Sequence, residues 1–286
     1  MKLKIDAHLL DWEWFSIKLP VTVVWVAMLS IMFNSVNQCI YPVGICQLYS
    51  FEPVFSPIGK PILYIALVFS ALFFLAEKQM LITTLVMFLL SILVISFHES
   101  NGVFFRATIF SLVWGALFIA YFIKYINSGF DLSHYRKQFV WQMIAAVYFL
   151  AALAKLKASG IMWGAEADGF ALQVVKNYAF HYYDTGNSQI LDQGVKLAYF
   201  FSNNRFLTSI MLYSALILEL FCFTVVFNRS LRLIFGVGLL LMHIGIAAFM
   251  GIGISVICFP MVIFFLNPLY FFLTVIRNLK NRLFPA

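Results

Sequence analysis

The sequence predicts an all-α, polytopic integral membrane helix bundle of about eight transmembrane helices, with interfacial helices in one long outer loop. Three observations carry this. Of 286 residues, 63% belong to the apolar and aromatic set and only 11% are charged, against roughly 45–50% and about 25% in soluble proteins. The apolar residues gather into runs close to the roughly 20 residues a membrane span needs. The breaks between most runs are short and polar, as in helical hairpins. Eight spans would occupy about 160 positions, which leaves no room for a large second soluble domain. No repeat, low-complexity stretch or linker divides the chain, so residues 1–286 read as a single transmembrane domain. With 33 Phe and 13 Tyr, a disordered chain is excluded as well.

The runs follow in order. Trp14 to Phe33 is the first, with Lys18 and Pro20 near its start, where snorkelling and kinking are tolerated. Pro61 to Ala76, Met80 to Phe97 and Val103 to Ile123 follow, separated by Glu77-Lys78-Gln79 and His98-Glu99-Ser100-Asn101-Gly102. Phe139 to Leu156, Phe206 to Phe227 and Leu231 to Met250 are the fifth to seventh, and Ile254 to about Ile276 is the eighth. Pro260 and Asn267-Pro268 interrupt that last run, so it either continues or ends near Leu266 with an interfacial tail. Because further spans follow the first run, it is not a cleaved secretory signal.

The net charge of +7 comes from Lys and Arg scattered at loop edges, not from a basic patch on a polar domain, so no nucleic-acid partner is expected. Lys2, Lys4, Lys78, Lys124, Arg136, Lys137, Arg229, Arg232, Arg277, Lys280 and Arg282 fall on one side of the bundle. The other side holds Lys60 in a short loop, and Lys157, Lys176, Lys196 and Arg205 spread over a long one. Positive residues collect in cytoplasmic loops, so both termini are expected in the cytoplasm, with a bacterial inner membrane as the setting. Residues 34–60 and 157–205 then lie outside. In the longer connection, Gly169 to Phe180 and Val195 to Phe201 mix apolar and polar residues as interfacial helices do.

Cys222 and Cys258 lie in spans and read as small packing residues. Cys39 and Cys46 flank a Pro-Gly loop on the outer side, where either a disulfide or two free thiols fits. Their spacing is neither a CxxC redox motif nor a metal knuckle, and no His, Cys, Asp and Glu spacing suits a metal, so none is expected.

Ionisable residues inside apolar runs are costly in lipid and turn toward a bundle interior or cavity. Arg106 lies one turn into its run and either snorkels or faces inward. Lys155 lies two residues deeper than Lys157, on another face of the helix. Glu219 lies mid-span, where a carboxyl group is either protonated or ionised beside a cation such as Lys155 or Arg106. His243, also mid-span, either closes a hydrogen bond to the backbone or belongs to a site.

Tyr148-Phe-Leu-Ala-Ala-Leu-Ala-Lys155-Leu followed by Trp163-Gly164 resembles the aromatic, small-residue, Lys-Leu, Trp-x-Gly segment of the HTTM domain, the membrane domain shared with vitamin K-dependent gamma-carboxylase. Leu218-Glu219, Met242-His-Ile-Gly245 and Met250-Gly-Ile-Gly253 resemble later spans of that family in the same order, and the likeness runs from about Phe97 to Leu266. The resemblance implies a bundle open on its outer side to a reduced quinone resembling vitamin K hydroquinone. It places Lys155 at the catalytic base, Glu219 and His243 around it, and Tyr148, Trp163 and Arg106 in contact with the quinone. In the carboxylase the lysine triggers oxygenation of the hydroquinone, which gives a strong base that takes a glutamate γ-proton before carbon dioxide adds. Here Ala154 stands where the carboxylase has a second lysine, and no large lumenal domain follows within these residues. Two classes of function are therefore carried forward. One is a quinol-dependent carboxylase or oxygenase-type enzyme, a lyase or oxidoreductase. The other is a non-enzymatic membrane protein assisting maturation, export or immunity of a secreted peptide. A transporter is disfavoured by the missing internal repeat.

Overall fold

The computed structural model describes residues 11–35, 47–48, 52–100, 107–251 and 255–283. It is helical throughout, with no strand among the described residues. The helices are α1 (Trp12–Ser35), α2 (Glu52–Phe55), α3 (Gly59–Leu75), α4 (Met80–Ser100), α5 (Thr108–Ile126), α6 (Leu132–Ser159), α7 (Ala167–Thr185), α8 (Ser188–Asn203), α9 (Arg205–Leu220), α10 (Arg229–Met250), α11 (Ser255–Met261) and α12 (Pro268–Leu283). Gly160–Ala165 and Cys222–Val226 are 3-10 turns, and Val262–Leu266 is a π turn.

Among the described residues, five helices are long and apolar enough to cross a membrane: Trp12–Asn34, Met80–Ser100, Thr108–Ile126, Leu132–Ala165 and Arg229–Met250. A sixth is reached if Val256–Leu266 and Pro268–Ile276, bent by 41°, count as one span. The expected count of about eight is therefore not confirmed. The second run forms a helix of only 17 residues, and the sixth a helix of 16 that tightens at Phe221 into a 3-10 turn. The bend in the eighth run falls at Asn267, whose φ of +45° stops helical propagation. Its Oδ1 accepts from Tyr270 N at 3.1 Å and so caps α12.

The chain forms two units, residues 1–144 with 262–286 and residues 145–261. The core of the first is aromatic. Trp14 meets Phe74, Phe74 meets Trp114 and Trp114 meets Trp25 edge to face, with centroids 6.1, 5.0 and 5.4 Å apart. Such contacts add to the burial of large apolar surfaces. Trp25 Nε1 donates to Ser91 Oγ at 2.7 Å, which settles one of the few polar atoms in that core. Charge is confined to helix ends. Lys18 Nζ donates to Leu75 O at 3.0 Å and to Glu77 at 2.8 Å, capping the C-terminus of α3, where the helix dipole favours a cation. Asp11 pairs with Arg136, Glu13 with Lys137, and the Arg136 guanidinium lies 4.2 Å over the Trp14 ring. Asp131 caps α6 by accepting from His134 N and Ser133 Oγ, bonds that hold its carboxyl below the usual range.

In the second unit α7 and α8 form an antiparallel hairpin, longer than the two interfacial segments expected from the sequence. Gly186, at φ +68°, turns the chain, and Asn187 caps α8 through Gln189 N at 3.0 Å. A Cβ on Gly194 would lie 2.4 Å from that of Tyr178, so the two helices approach more closely than a side chain there permits. Val174, Tyr178, Phe201 and Met250 form the core beneath the hairpin.

Candidate functional site

The second unit brings together most of the ionisable residues singled out in the sequence. Tyr148 and Lys155 are seven residues apart on α6 and share one face, two turns apart. Glu219 stands one residue before the end of α9, and His243 lies inside α10. Lys155 Nζ donates to Glu219 Oε2, closing a pair 64 residues apart in sequence. The lysine side chain is 27% exposed and the glutamate side chain 7%, so the cation is the accessible partner and the carboxylate lies behind it. A carboxylate so buried needs this partner, because an unpaired charge away from water is costly.

Trp163 supports the lysine from the connection that follows α6. Gly160, at φ +61°, ends the helix, and the 3-10 turn carries the Trp163 ring to 4.8 Å from Lys155 Nζ, a cation–π contact. The turn is held by Gly164, where a Cβ would meet the ring of Tyr213 on α9 at 2.5 Å. Only glycine lets Tyr213 press so closely, so the Trp-Gly pair has a structural reason: Gly164 seats the turn on α9 and thereby aims Trp163.

One step along the same face of α6, Tyr148 Oη lies 2.8 Å from His243 Nε2 and 3.0 Å from Met261 Sδ. A hydroxyl has one proton to give. With that proton directed to Met261, the arrangement is complete when His243 carries its own proton on Nε2 and donates to the tyrosine oxygen. Tyr148, Glu219, Cys222, His243 and Met261 are all buried.

Cys222 and Cys258 are free thiols. Tyr148 feels both thiols electrostatically, and Cys222 feels Glu219. The sequence reading treated the two cysteines as packing and did not single out Met261. No spacing signals their convergence, since the 3-10 turn after α9 and the short α11 bring them in. Lys18, which an apolar run would let snorkel, is instead buried as a helix cap. Arg106, Cys39 and Cys46 lie outside the described residues. Among the described residues no group of three His, Cys, Asp or Glu is placed to hold a metal ion.

A cavity of about 440 Å³ lies elsewhere in this unit, between α9 and α10, with Phe170 of α7 among its walls. Its walls include Leu218 and Met242, the chain neighbours of Glu219 and His243, but not Lys155, Glu219, His243, Tyr148 or Trp163. Adjacent helical residues point about 100° apart, so α9 and α10 turn one face to α6 and another to the cavity.

These features define an all-helical chain with five to six candidate membrane spans, compatible with an integral membrane protein in contact with lipid, and with paired polar side chains inside one unit. No protein-family model, curated protein sequence or solved structure matches it.

Proposed function

We propose that this is an integral membrane protein of a bacterial inner membrane, both termini cytoplasmic, whose second unit is a quinol-dependent carboxylase or oxygenase-type enzyme with Lys155 as base. The observation that carries the reading is the Lys155–Glu219 pair, with its accessible amine and buried carboxylate. The resemblance to the HTTM domain supports it. The orientation rests on the Lys and Arg distribution, and impermeant labelling of a cysteine placed at Asn187, but not of one at Asn281, is the expected outcome in sealed cells.

The donor set suits a reduced quinone, which when bound supplies two electrons and two hydroxyl protons. An amine accepts a hydroxyl proton, a tryptophan face beside it accepts a flat ring, and Tyr148 and His243 offer further hydrogen bonding on the same helix face. Within the chain, the proton of Lys155 passes along its hydrogen bond to Glu219 Oε2. That transfer leaves a neutral amine and a neutral acid, a state that low polarity favours over two separated charges. Lys155 Nζ then takes a proton from the bound hydroxyl, and Trp163 covers the resulting cation. Glu219 keeps its proton until water or a substrate group removes it.

The test is oxygen uptake by the purified protein with a reduced naphthoquinone or benzoquinone. Wild-type protein should consume oxygen, and Lys155→Arg should fold but not do so, since arginine is effectively never deprotonated.

A specific observation favours a second reading, a non-enzymatic partner in maturation, export or immunity of a secreted peptide. Lys155, Glu219, Tyr148 and His243 all find partners within the bundle, as residues that only knit helices would. In that case Lys155→Arg is silent in a cellular assay.

A further inference from the structure

The cavity between α9 and α10 plays no part in the proposed proton chemistry, and its shape calls for an occupant of its own. It runs from Thr208 and Phe249 at one end to Leu218 and Gly238 at the other. Ten residues of helix separate Thr208 from Leu218, about 15 Å at 1.5 Å per residue. A cavity of that length with almost wholly apolar walls takes apolar matter. Its two helical glycines differ. Gly238 is explained by the protein, because a Cβ there would meet Leu218 at 2.7 Å. Gly245 is not, since a Cβ there would meet nothing nearer than the Phe249 ring at 3.9 Å. A helix interior is penalised for a residue without a Cβ, and at Gly245 no packed neighbour requires one. What its absence does is keep the cavity open.

The outer end of the cavity has a polar mouth. A second cavity of about 230 Å³ is lined by Glu166, Asp168, Gly169 and Arg205 among others. Gly169 precedes Phe170, and Arg205 lies one turn before Thr208, so the second cavity flanks the Thr208 end of the first along α7 and α9. Arg205 donates from Nη2 to Asp168 at 2.8 Å, yet both side chains remain more than half exposed. A guanidinium has five donors, so one carboxylate does not exhaust it. The mouth thus offers one fixed cation for a phosphate and two carboxylates for an ammonium group.

We infer that this composite site holds one membrane lipid of the ammonium-phosphate class, its acyl chain between α9 and α10 and its zwitterionic headgroup on Arg205, Asp168 and Glu166. A headgroup with only negative charge meets two carboxylates there and is disfavoured. The inference is independent of the role given to Lys155.

The test uses the full chain in phosphatidylglycerol nanodiscs containing a trace of phosphatidylethanolamine with a diazirine in its acyl chain. After irradiation, cross-links should concentrate on residues 208–218 and 238–249. Gly245→Leu, which fills the cavity from α10, should lower them about tenfold, and phosphatidylglycerol bearing the same chain should label several-fold less. Should Gly245→Leu fail to assemble, Ala215→Leu fills the cavity from the opposite wall. Even labelling of all lipid-facing helices, or labelling unchanged in both cavity-filling variants, would overturn the site. Phosphatidylglycerol labelling better than phosphatidylethanolamine would overturn the headgroup assignment, as would displacement of the probe by a prenylated quinone but not by unlabelled phosphatidylethanolamine.

Discussion

Lys18–Glu77 in the first unit and Lys155–Glu219 in the second are lysine–glutamate pairs built in opposite ways. In the first unit Lys18 is buried, with a side-chain exposure of 9%, while Glu77 is 50% exposed, and the lysine also holds a backbone carbonyl at the end of α3. In the second it is Glu219 that is buried, and Lys155 is the partner that can be reached. A buried cation fixed to a helix terminus acts as a strut. An accessible amine backed by a buried carboxylate can give up and recover a proton, which is why the proposed chemistry is assigned to the second pair. The other ion pairs of the first unit lie at helix ends, and the second hydrogen-bonds Tyr148 to His243 between helices.

Breaking the second pair should have the larger effect. Lys155→Met leaves the buried Glu219 carboxylate without its partner and should cost about 3–5 kcal/mol in thermal unfolding in detergent. Glu219→Gln removes that charge, keeps an acceptor and should cost about 1–2 kcal/mol. Equal stability of the two variants would mean that the buried carboxylate does not need its partner. Tyr148→Phe removes a buried hydroxyl between His243 and Met261 and should cost about 1–2 kcal/mol by the same measurement. Lys18→Met, which keeps the apolar stem and removes the cation, should cost only about 1 kcal/mol, because Glu77 falls back on solvent. A loss for Lys18→Met as large as that for Lys155→Met would erase the distinction between the two pairs.

Much of the helical architecture is legible in the sequence because membrane spans depend on run length and polarity, both visible in one dimension. The runs from Met80 and from Leu231 reappear as α4 and α10 almost residue for residue. Where helices stop is less legible. The 3-10 turn after Glu219 and the left-handed Asn267 depend on local geometry that an apolar run conceals. Within the site, Lys155, Glu219, Tyr148 and His243 could be singled out because polar groups in apolar runs need partners. Lys155 was already one of the two cations open to Glu219, whereas the Tyr148–His243 contact could not be read, since pairing is decided by which faces of α6, α9 and α10 meet. Met261 and the two thiols left no sequence trace, because an apolar or sulfur-bearing residue in a span looks the same in a site as in packing.

Exchanging the members of the second pair, Lys155→Glu with Glu219→Lys, tests the central claim most directly. The exchange preserves an ion pair between the same helices but removes the amine from the accessible position and buries it. With Lys155 as the base, the doubly substituted protein should unfold within about 1 kcal/mol of wild type and show no quinol-dependent oxygen uptake. Uptake at the wild-type rate by the exchanged protein would contradict the account and reduce the pair to a strut like that of Lys18 and Glu77.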